Sequence, residues 1–116
     1  MIRRGEIYEV DLDLVRGSEA NKRRPAVVVS SDAANSAASR LGRGVVTVVP
    51  VTSNVERVFP FQLLLPATET GLPMESKAQT EQVRSVAFER LGRRLGQLPV
   101  GLMRSLDEAL RLHLSL

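Results

Sequence analysis

The stretch VVTVV at residues 45–49, which runs into Pro50, decides the fold class of this chain. A short run of apolar and β-branched residues is typical of a buried β-strand. Pro50 lacks a backbone N–H and is expected to end this strand. The same reasoning, applied outward along the chain, predicts further strands at residues 6–12, 25–30, 61–65, 74–80 and 82–87, with a shorter one around residues 93–97.

The last part of the chain has a different pattern. After Pro99, which suits a first helical turn, apolar residues recur at helical spacing and charged residues fall largely between them. The pattern predicts an amphipathic helix whose apolar stripe faces the sheet. Several short strands followed by one terminal helix indicate a mainly β protein with a C-terminal helix, built as a small, strongly bent sheet or barrel. The apolar positions of the helix are Leu102, Met103, Leu106, Ala109, Leu110 and Leu114.

Turns and loops separate these elements. Residues 15–23 are polar and predict a loop, whereas residues 32–40 are rich in Ala, Ser and Asn and suit a short helical turn. Residues 68–73 predict a turn in which Gly71 adopts a positive φ. No repeat, low-complexity tract or linker divides the 116 residues, so we expect one domain over residues 1–116.

Composition narrows the chemistry. The formal net charge of +3 favours an acidic or polyanionic partner, although an excess of this size is weak support for nucleic acid by itself. The absence of cysteine excludes disulfides and thiolate metal sites. The single histidine, His113, excludes a His-rich zinc site and a nuclease mechanism based on two histidines. No apolar run is long enough for a membrane span and no signal sequence is recognisable, which predicts a cytoplasmic protein.

Four segments, in this order and spacing, resemble the MazF/PemK toxins. The first is RGEIY at residues 4–8 followed by DLD at 11–13, and the second is GSE at 17–19 followed by RPAVVVS at 24–30. The third is VPVTS at 49–53. The fourth is EQVRS at 81–85, together with LDEAL at 106–110 in the terminal helix.

The resemblance implies a compact SH3-like β-barrel that forms a homodimer and cleaves single-stranded RNA at a short preferred sequence. It also implies a cognate antitoxin whose acidic tail occupies the RNA groove, and it implies no metal and no small-molecule cofactor. Carried over by position, Arg24 and Thr52 would be the catalytic pair. The residues that would support catalysis or line the RNA groove are Glu19, Ser53, Gln82 and Arg84.

The residue types fit such a reaction. A guanidinium holds two phosphate oxygens at once and resists deprotonation, so Arg24 is expected to stabilise the pentavalent phosphate rather than to act as the base. Thr52 would hydrogen-bond a phosphate oxygen or the 2′-OH. The base is unassigned between Glu19 and a water molecule. The resemblance implies products with a 2′,3′-cyclic phosphate and a 5′-OH.

Simpler interpretations remain open for the same positions. Arg24 follows Lys22 and Arg23, and a run of basic residues is commonly a solvent-exposed surface without a binding role. Thr52 and Ser53 come where a strand is expected to end, which suits hydroxyls that cap a turn. Glu19 fits an exposed loop carboxylate.

Two predicted strands carry pairs of polar residues that could form either a functional face or an ordinary solvent-exposed one. Gln82 and Arg84 stand two apart on a predicted strand and should share one face, with Val83 turned to the core. An ordinary solvent-facing strand would show the same pattern. Asp11 and Asp13 share a face too, but two carboxylates make a poor cation cage, and we reject a metal site.

Aromatic residues are only 3% of the chain, so base stacking cannot be extensive. Phe59 and Phe61 flank Pro60 and can supply one platform, although Phe61 is expected in the core. His113 falls near the end of the terminal helix, where a structural role is expected.

Two other classes of protein compete with the nuclease. A CcdB-like gyrase inhibitor would share the fold, but the activity of those proteins depends on a tryptophan near the C-terminus, and this chain contains no tryptophan. A non-catalytic β-barrel that binds nucleic acid or a protein tail is compatible with the composition. Such a module would retard RNA in a gel, whereas the enzyme would shorten it.

Overall fold

A computed structural model describes residues 1–12 and 23–116 of the chain. Two short 3₁₀ turns lie at Thr80–Gln82 and Phe88–Arg90. The strands and helices, in chain order, are β1 (Glu6–Asp11), β2 (Arg23–Val28), α1 (Asp32–Leu41), β3 (Val45–Thr52), β4 (Gln62–Leu65), α2 (Ala67–Thr70), β5 (Ser76–Gln79), β6 (Arg84–Ala87), β7 (Leu91–Gln97) and α3 (Val100–Leu114).

The described strands form one antiparallel sheet in the order β4-β5-β3-β2-β1-β7, and β6 pairs with β3 beside this path. The prediction of a mainly β fold with a C-terminal helix is confirmed. The predicted small, strongly bent sheet or SH3-like barrel is not closed in the described part, because β4 and β7 end the order without pairing to each other. Helix α3 follows β7 in the chain and contacts β4.

Both faces of the central strands are buried, which explains their unbroken apolar runs. Ala26 and Val28 of β2 belong to a cluster on the face that α1 covers with Ala38. Val27, between them, belongs to a second cluster on the opposite face, where Leu106 of α3 is fully buried. Alternate residues of one strand therefore enter two different cores, as the pleat of a strand requires.

Pro50 does not end β3, contrary to prediction. Thr47 directs its N–H and C=O towards the β2 side, where its carbonyl accepts from Val29 and its N–H donates to Ser30 Oγ. Because backbone groups alternate between the two edges of a strand, Pro50 faces the other edge. That edge pairs with β6 up to Val48 and with β5 from Val51 onward, so Pro50 lies opposite the gap between the two partners. A proline costs no ladder hydrogen bond there.

The remaining elements refine the predicted ones. Residues 32–40 form more than a turn, since α1 is ten residues long, with Ser31 accepting from the N–H of Ala34 as its N-cap. Asn35 is buried within it and donates to the carbonyl of Ser30 at 2.9 Å. The predicted positive φ of Gly71 is confirmed at +86°. β7 begins at Leu91, two residues before the predicted start. No helix in the described part of the chain is long and apolar enough to span a membrane.

Candidate active site

A cavity of about 210 Å³ lies at the end of β3, where Arg24, Thr52 and Ser53 line it together. We call it the Thr52 cavity. Its opposite wall is apolar and comes from the turn between α2 and β5. Residues 24 and 52 are far apart in sequence, and the pairing of β2 with β3 carries them to the same end of the sheet. The residues of the apolar wall are Leu72, Pro73 and Met74.

Arg24 is an exposed arginine at the start of β2, where its Cα pairs with that of Val10 in β1. Within residues 1–12 and 23–116, its guanidinium makes no hydrogen bond or ion pair. The arginine next to it, Arg23, instead points at Glu9, with 3.8 Å between Nη1 and Oε1. The donors of Arg24 are thus available to an anion in the Thr52 cavity.

Thr52 ends β3, and its Cα pairs with that of Lys77 in β5. Its Oγ1 accepts a hydrogen bond from the N–H of Asn54 at 3.2 Å, so the hydroxyl does cap the turn after the strand. Capping uses an acceptor position of the oxygen and leaves the hydroxyl proton free to be donated. Ser53 is exposed, and its hydroxyl contacts no partner among the described residues.

A second cavity, of about 270 Å³, lies on the other side of Arg24. We call it the Gln82 cavity; Arg84 and Pro50 also line it. It occupies the gap that Pro50 faces between β5 and β6, so the interruption of strand pairing creates the space. Arg84 is held there by a hydrogen bond from its Nη1 to the carbonyl of Leu12 at 3.0 Å.

The prediction that Gln82 and Arg84 share one face of a strand is wrong. Gln82 lies in the 3₁₀ turn Thr80–Gln82, and β6 begins only at Arg84. The two residues nevertheless line the same cavity. The 3₁₀ turn before β6, and not the alternation of side chains along a strand, brings them together.

This geometry does not test the predicted site residue Glu19, nor Asp13, which belongs to the pair of carboxylates rejected as a metal site. Glu19 and Asp13 lie outside the described residues. In the described ranges, no group of three or more His, Asp or Glu side chains could hold a metal ion. Sequence reasoning missed the apolar wall at residues 72–74, because only the pairing of β3 with β5 brings that turn to Thr52.

The segment after Ser53 carries a row of planar side chains. The rings of Phe59 and Phe61 stack with centroids 5.4 Å apart and planes within 1°. The guanidinium of Arg57 lies 5.5 Å from the centroid of Phe59, and His113 of α3 lies 5.9 Å from Phe61. Phe61 is half-buried and belongs to neither core cluster, so its predicted place in the core is wrong. The ring of Phe61 therefore contacts the stacked ring of Phe59 and the tilted ring of His113, at 40° to it.

Comparison with known proteins shows the family. The family model described as PemK-like, MazF-like toxin of type II toxin-antitoxin system matches residues 3–114. The chain is 64% identical over 116 residues to Endoribonuclease MazF9 of Mycobacterium tuberculosis. This alignment covers 100% of this chain and 98% of that protein. It is 38% identical over 112 residues to Endoribonuclease MazF6 of the same species, covering 96% of this chain and 95% of that protein.

Solved structures show the same fold. A mycobacterial endoribonuclease in complex with its cognate antitoxin superposes with a TM-score of 0.79 at 22% identity, over 100% of this chain and 97% of that chain. Solved structures named as MazF toxins, from Mycobacterium tuberculosis and Deinococcus radiodurans, have the same fold, with TM-scores of 0.76 and 0.77. The chain belongs to the PemK-like, MazF-like toxin family of type II toxin-antitoxin systems.

Proposed function

We propose that this chain is a sequence-specific, metal-independent endoribonuclease, the toxin of a type II toxin-antitoxin pair, acting on single-stranded RNA. Its 64% identity along the whole chain to a protein named as an endoribonuclease supports RNA as the substrate. The observation that carries the assignment of the site is the position of Arg24. This arginine lines both cavities and has no partner among the described residues.

The proposed reaction uses the RNA's own 2′-oxygen as the nucleophile. That oxygen bonds to phosphorus as its proton leaves to a base, and the bond from phosphorus to the 5′-oxygen breaks as this oxygen gains a proton. The products are a 2′,3′-cyclic phosphate and a 5′-OH. Arg24 stabilises the extra negative charge on the phosphate oxygens, because a guanidinium is a fixed two-pronged donor. Thr52 donates its hydroxyl proton to a phosphate oxygen or orients the 2′-OH.

The other polar residues position the RNA. Arg84 and Gln82 lie in the cavity that adjoins Arg24 and can contact a neighbouring phosphate and a base edge. Ser53 is beside Thr52 and can supply a further hydrogen bond. The base remains to be assigned between Glu19 and water.

We further propose a homodimer whose RNA groove is blocked by an acidic segment of the cognate antitoxin. Several large apolar side chains of the C-terminal residues are exposed in the single chain, which a protein partner can cover: Leu112, Leu114 and Leu116. The proposed compartment is the cytoplasm, where RNA and the antitoxin are synthesised.

The decisive experiment is cleavage of long, mostly unpaired RNAs by the purified chain in excess EDTA. The Arg24→Ala variant tests the site, and Arg104→Ala, an exposed arginine of α3 that lines neither cavity, is the matched control. We expect discrete cuts with cyclic phosphate ends for the unmodified chain and the control, and none for Arg24→Ala. Retarded but intact RNA would instead identify a binding module, and cleavage that EDTA abolishes would contradict the metal-independent mechanism.

A further inference from the structure

A third cavity, of about 540 Å³, adjoins the Thr52 cavity. The two cavities share Pro25 and Pro73, which form the ridge between them. We call the third one the Arg93 cavity. The charged side chains at its walls come from three neighbouring strands: Glu9 from β1, Arg23 from β2 and Arg93 from β7.

The charges of this cavity are only partly compensated. Arg93 is exposed, and within the described ranges it has no ion-pair or hydrogen-bond partner. Arg23 is 3.8 Å from Glu9 with 54% of its side chain exposed, a distance and exposure that make the pair weak. Arg94 also lines the cavity, but its guanidinium is bound to Glu6 at 2.9 Å and to Gln97 at 2.6 Å. The cavity therefore offers two cationic groups against one carboxylate.

Packing does not require these two arginines. Arg23 of β2 and Arg93 of β7 are both exposed, and neither belongs to a core cluster. Their position is continuous with the proposed cleavage site, since Arg23 is next to Arg24 in β2 and the ridge at Pro25 is common to both cavities. A strand of RNA that lies over Arg24 can continue across this ridge.

We propose that the Arg93 cavity binds a backbone phosphate of the RNA strand outside the scissile position, through Arg93 and Arg23. This inference rests on the proposed ribonuclease function and extends its groove by one contact. Contacts to phosphate position a strand and carry no sequence information. The cavity thus contributes to affinity for longer RNAs and leaves the chemical step and the recognition sequence unchanged.

The test measures binding of fully 2′-O-methylated RNAs, which lack the nucleophilic hydroxyl and stay intact. Two lengths are compared, a short oligonucleotide that covers only the cleavage sequence and one extended at both ends, over a series of salt concentrations. The variants are Arg93→Gln, Arg23→Gln and Glu9→Gln, with Arg104→Gln as the control for loss of one exposed arginine. Thermal unfolding checks that each variant is folded.

For the longer RNA, we expect Arg93→Gln and Arg23→Gln to weaken binding about three- to fivefold at low salt, as expected for one exposed ionic contact. The slope of log affinity against log salt should become shallower by about 0.7 for each lost contact to single-stranded RNA. Glu9→Gln should change affinity in the opposite direction, by about twofold, because it removes the only carboxylate among these groups. Binding of the short RNA and the cleavage rate at saturation should stay unchanged.

Equal salt slopes for Arg93→Gln and the Arg104→Gln control would overturn the proposal, as would an equal loss of affinity for short and long RNA. These results are distinguishable from failure of the proposed function. If the unmodified chain cleaves RNA but the variants show no length dependence, only the Arg93 cavity is wrong. If the unmodified chain does not cleave RNA, the function itself is wrong.

Discussion

The guanidinium of Arg4 lies 2.7 Å from Asp107 and so joins the segment before β1 to the middle of α3. Nη2 of Arg4 donates to Oδ1 of Asp107, while Nε donates to the carbonyl of Val29 at 2.8 Å. About a third of each side chain is exposed, so the pair is neither deeply buried nor fully solvated. One arginine therefore connects the start of the sheet, the end of β2 and the helix that covers the second core.

This junction predicts a measurable coupling between Arg4 and Asp107. We expect Arg4→Ala and Asp107→Ala each to lower the free energy of unfolding by about 1–2 kcal/mol, with a coupling of about 0.5–1 kcal/mol in a double-mutant cycle. Urea unfolding measures all three variants. The control is the exposed pair Glu108–Arg111, whose residues lie about one turn apart on α3. It should couple by no more than about 0.5 kcal/mol. Equal coupling in both pairs would contradict the prediction.

Gly96 is expected to tolerate no side chain. A Cβ at this position would lie 1.9 Å from the carbonyl oxygen of Thr70 and 3.4 Å from Gly71. Because these neighbours are backbone atoms of α2 and its C-cap, they cannot yield by a rotamer change. We expect Gly96→Ala to destabilise the fold by about 3 kcal/mol, at the upper end of overpacking effects.

The matched control is Gly101→Ala. A Cβ on this second residue of α3 meets nothing within 4 Å. Because alanine loses less backbone entropy than glycine in a helix, this substitution should stabilise the chain by about 0.5 kcal/mol. Thermal and urea unfolding give both values. Changes of the same sign at the two glycines would show that backbone contact at Gly96 is not the cause.

The elements read from local pattern were largely correct, and the errors have a common origin. Helix α3 was predicted from its apolar spacing because that spacing is a local property. The prediction that Pro50 ends β3 is wrong because the cost of a proline in a strand depends on which neighbouring strand its missing N–H faces. That neighbour is set by the pairing of β3 with both β5 and β6, which the sequence of β3 does not reveal.

Thr52 and Ser53 can be separated by their effects on cleavage. Thr52→Val keeps the shape of the side chain and removes its hydroxyl, so we expect the rate at saturating RNA to fall roughly ten- to a hundredfold. Thr52→Ser should keep most of the rate. Ser53→Ala, the control beside it in the same cavity, should lower the rate by about fivefold or less. A larger effect at Ser53 than at Thr52 would reverse the proposed roles.

Tyr8 should titrate at unusually high pH. Burial raises its pKa to about 12, helped by the hydrogen bond that its hydroxyl donates to Glu6 at 3.0 Å and by the negative charge of that carboxylate, whereas Arg94 acts in the opposite direction. The chain has one tyrosine and no tryptophan, so ultraviolet absorption of tyrosinate reports this group alone. We expect Glu6→Gln to move the midpoint towards 10, the ordinary value.

The same pKa predicts how stability depends on pH. Because the folded pKa lies above the unfolded one, the contribution of Tyr8 is complete below about pH 10 and is lost as the pH rises towards 12. Over this range, the unmodified chain should lose more stability than Tyr8→Phe, which has nothing to ionise at this position. Parallel stability curves for the two proteins would contradict the assignment.

For the candidate site, the sequence named residues that the structure brings to two cavities sharing Arg24, but it could not supply their geometry. Arg24 and Thr52 were named through a resemblance, and their common cavity follows from the register between β2 and β3. Gln82 and Arg84 were paired for the wrong reason, since a 3₁₀ turn separates them from a common strand. Residues 72–74 carry no chemical signal in the sequence, and only long-range pairing makes them a wall of the site.

The open ends of the sheet have a consequence for solubility. A strand at the end of a sheet exposes backbone groups that can pair with another molecule, and proteins oppose this with short strands, charges and covering segments. β4 is only four residues long, and β7 carries Arg93 and Arg94 while α2 lies against Gly96. The arginines of β7 therefore also act against edge-to-edge aggregation when no RNA is bound.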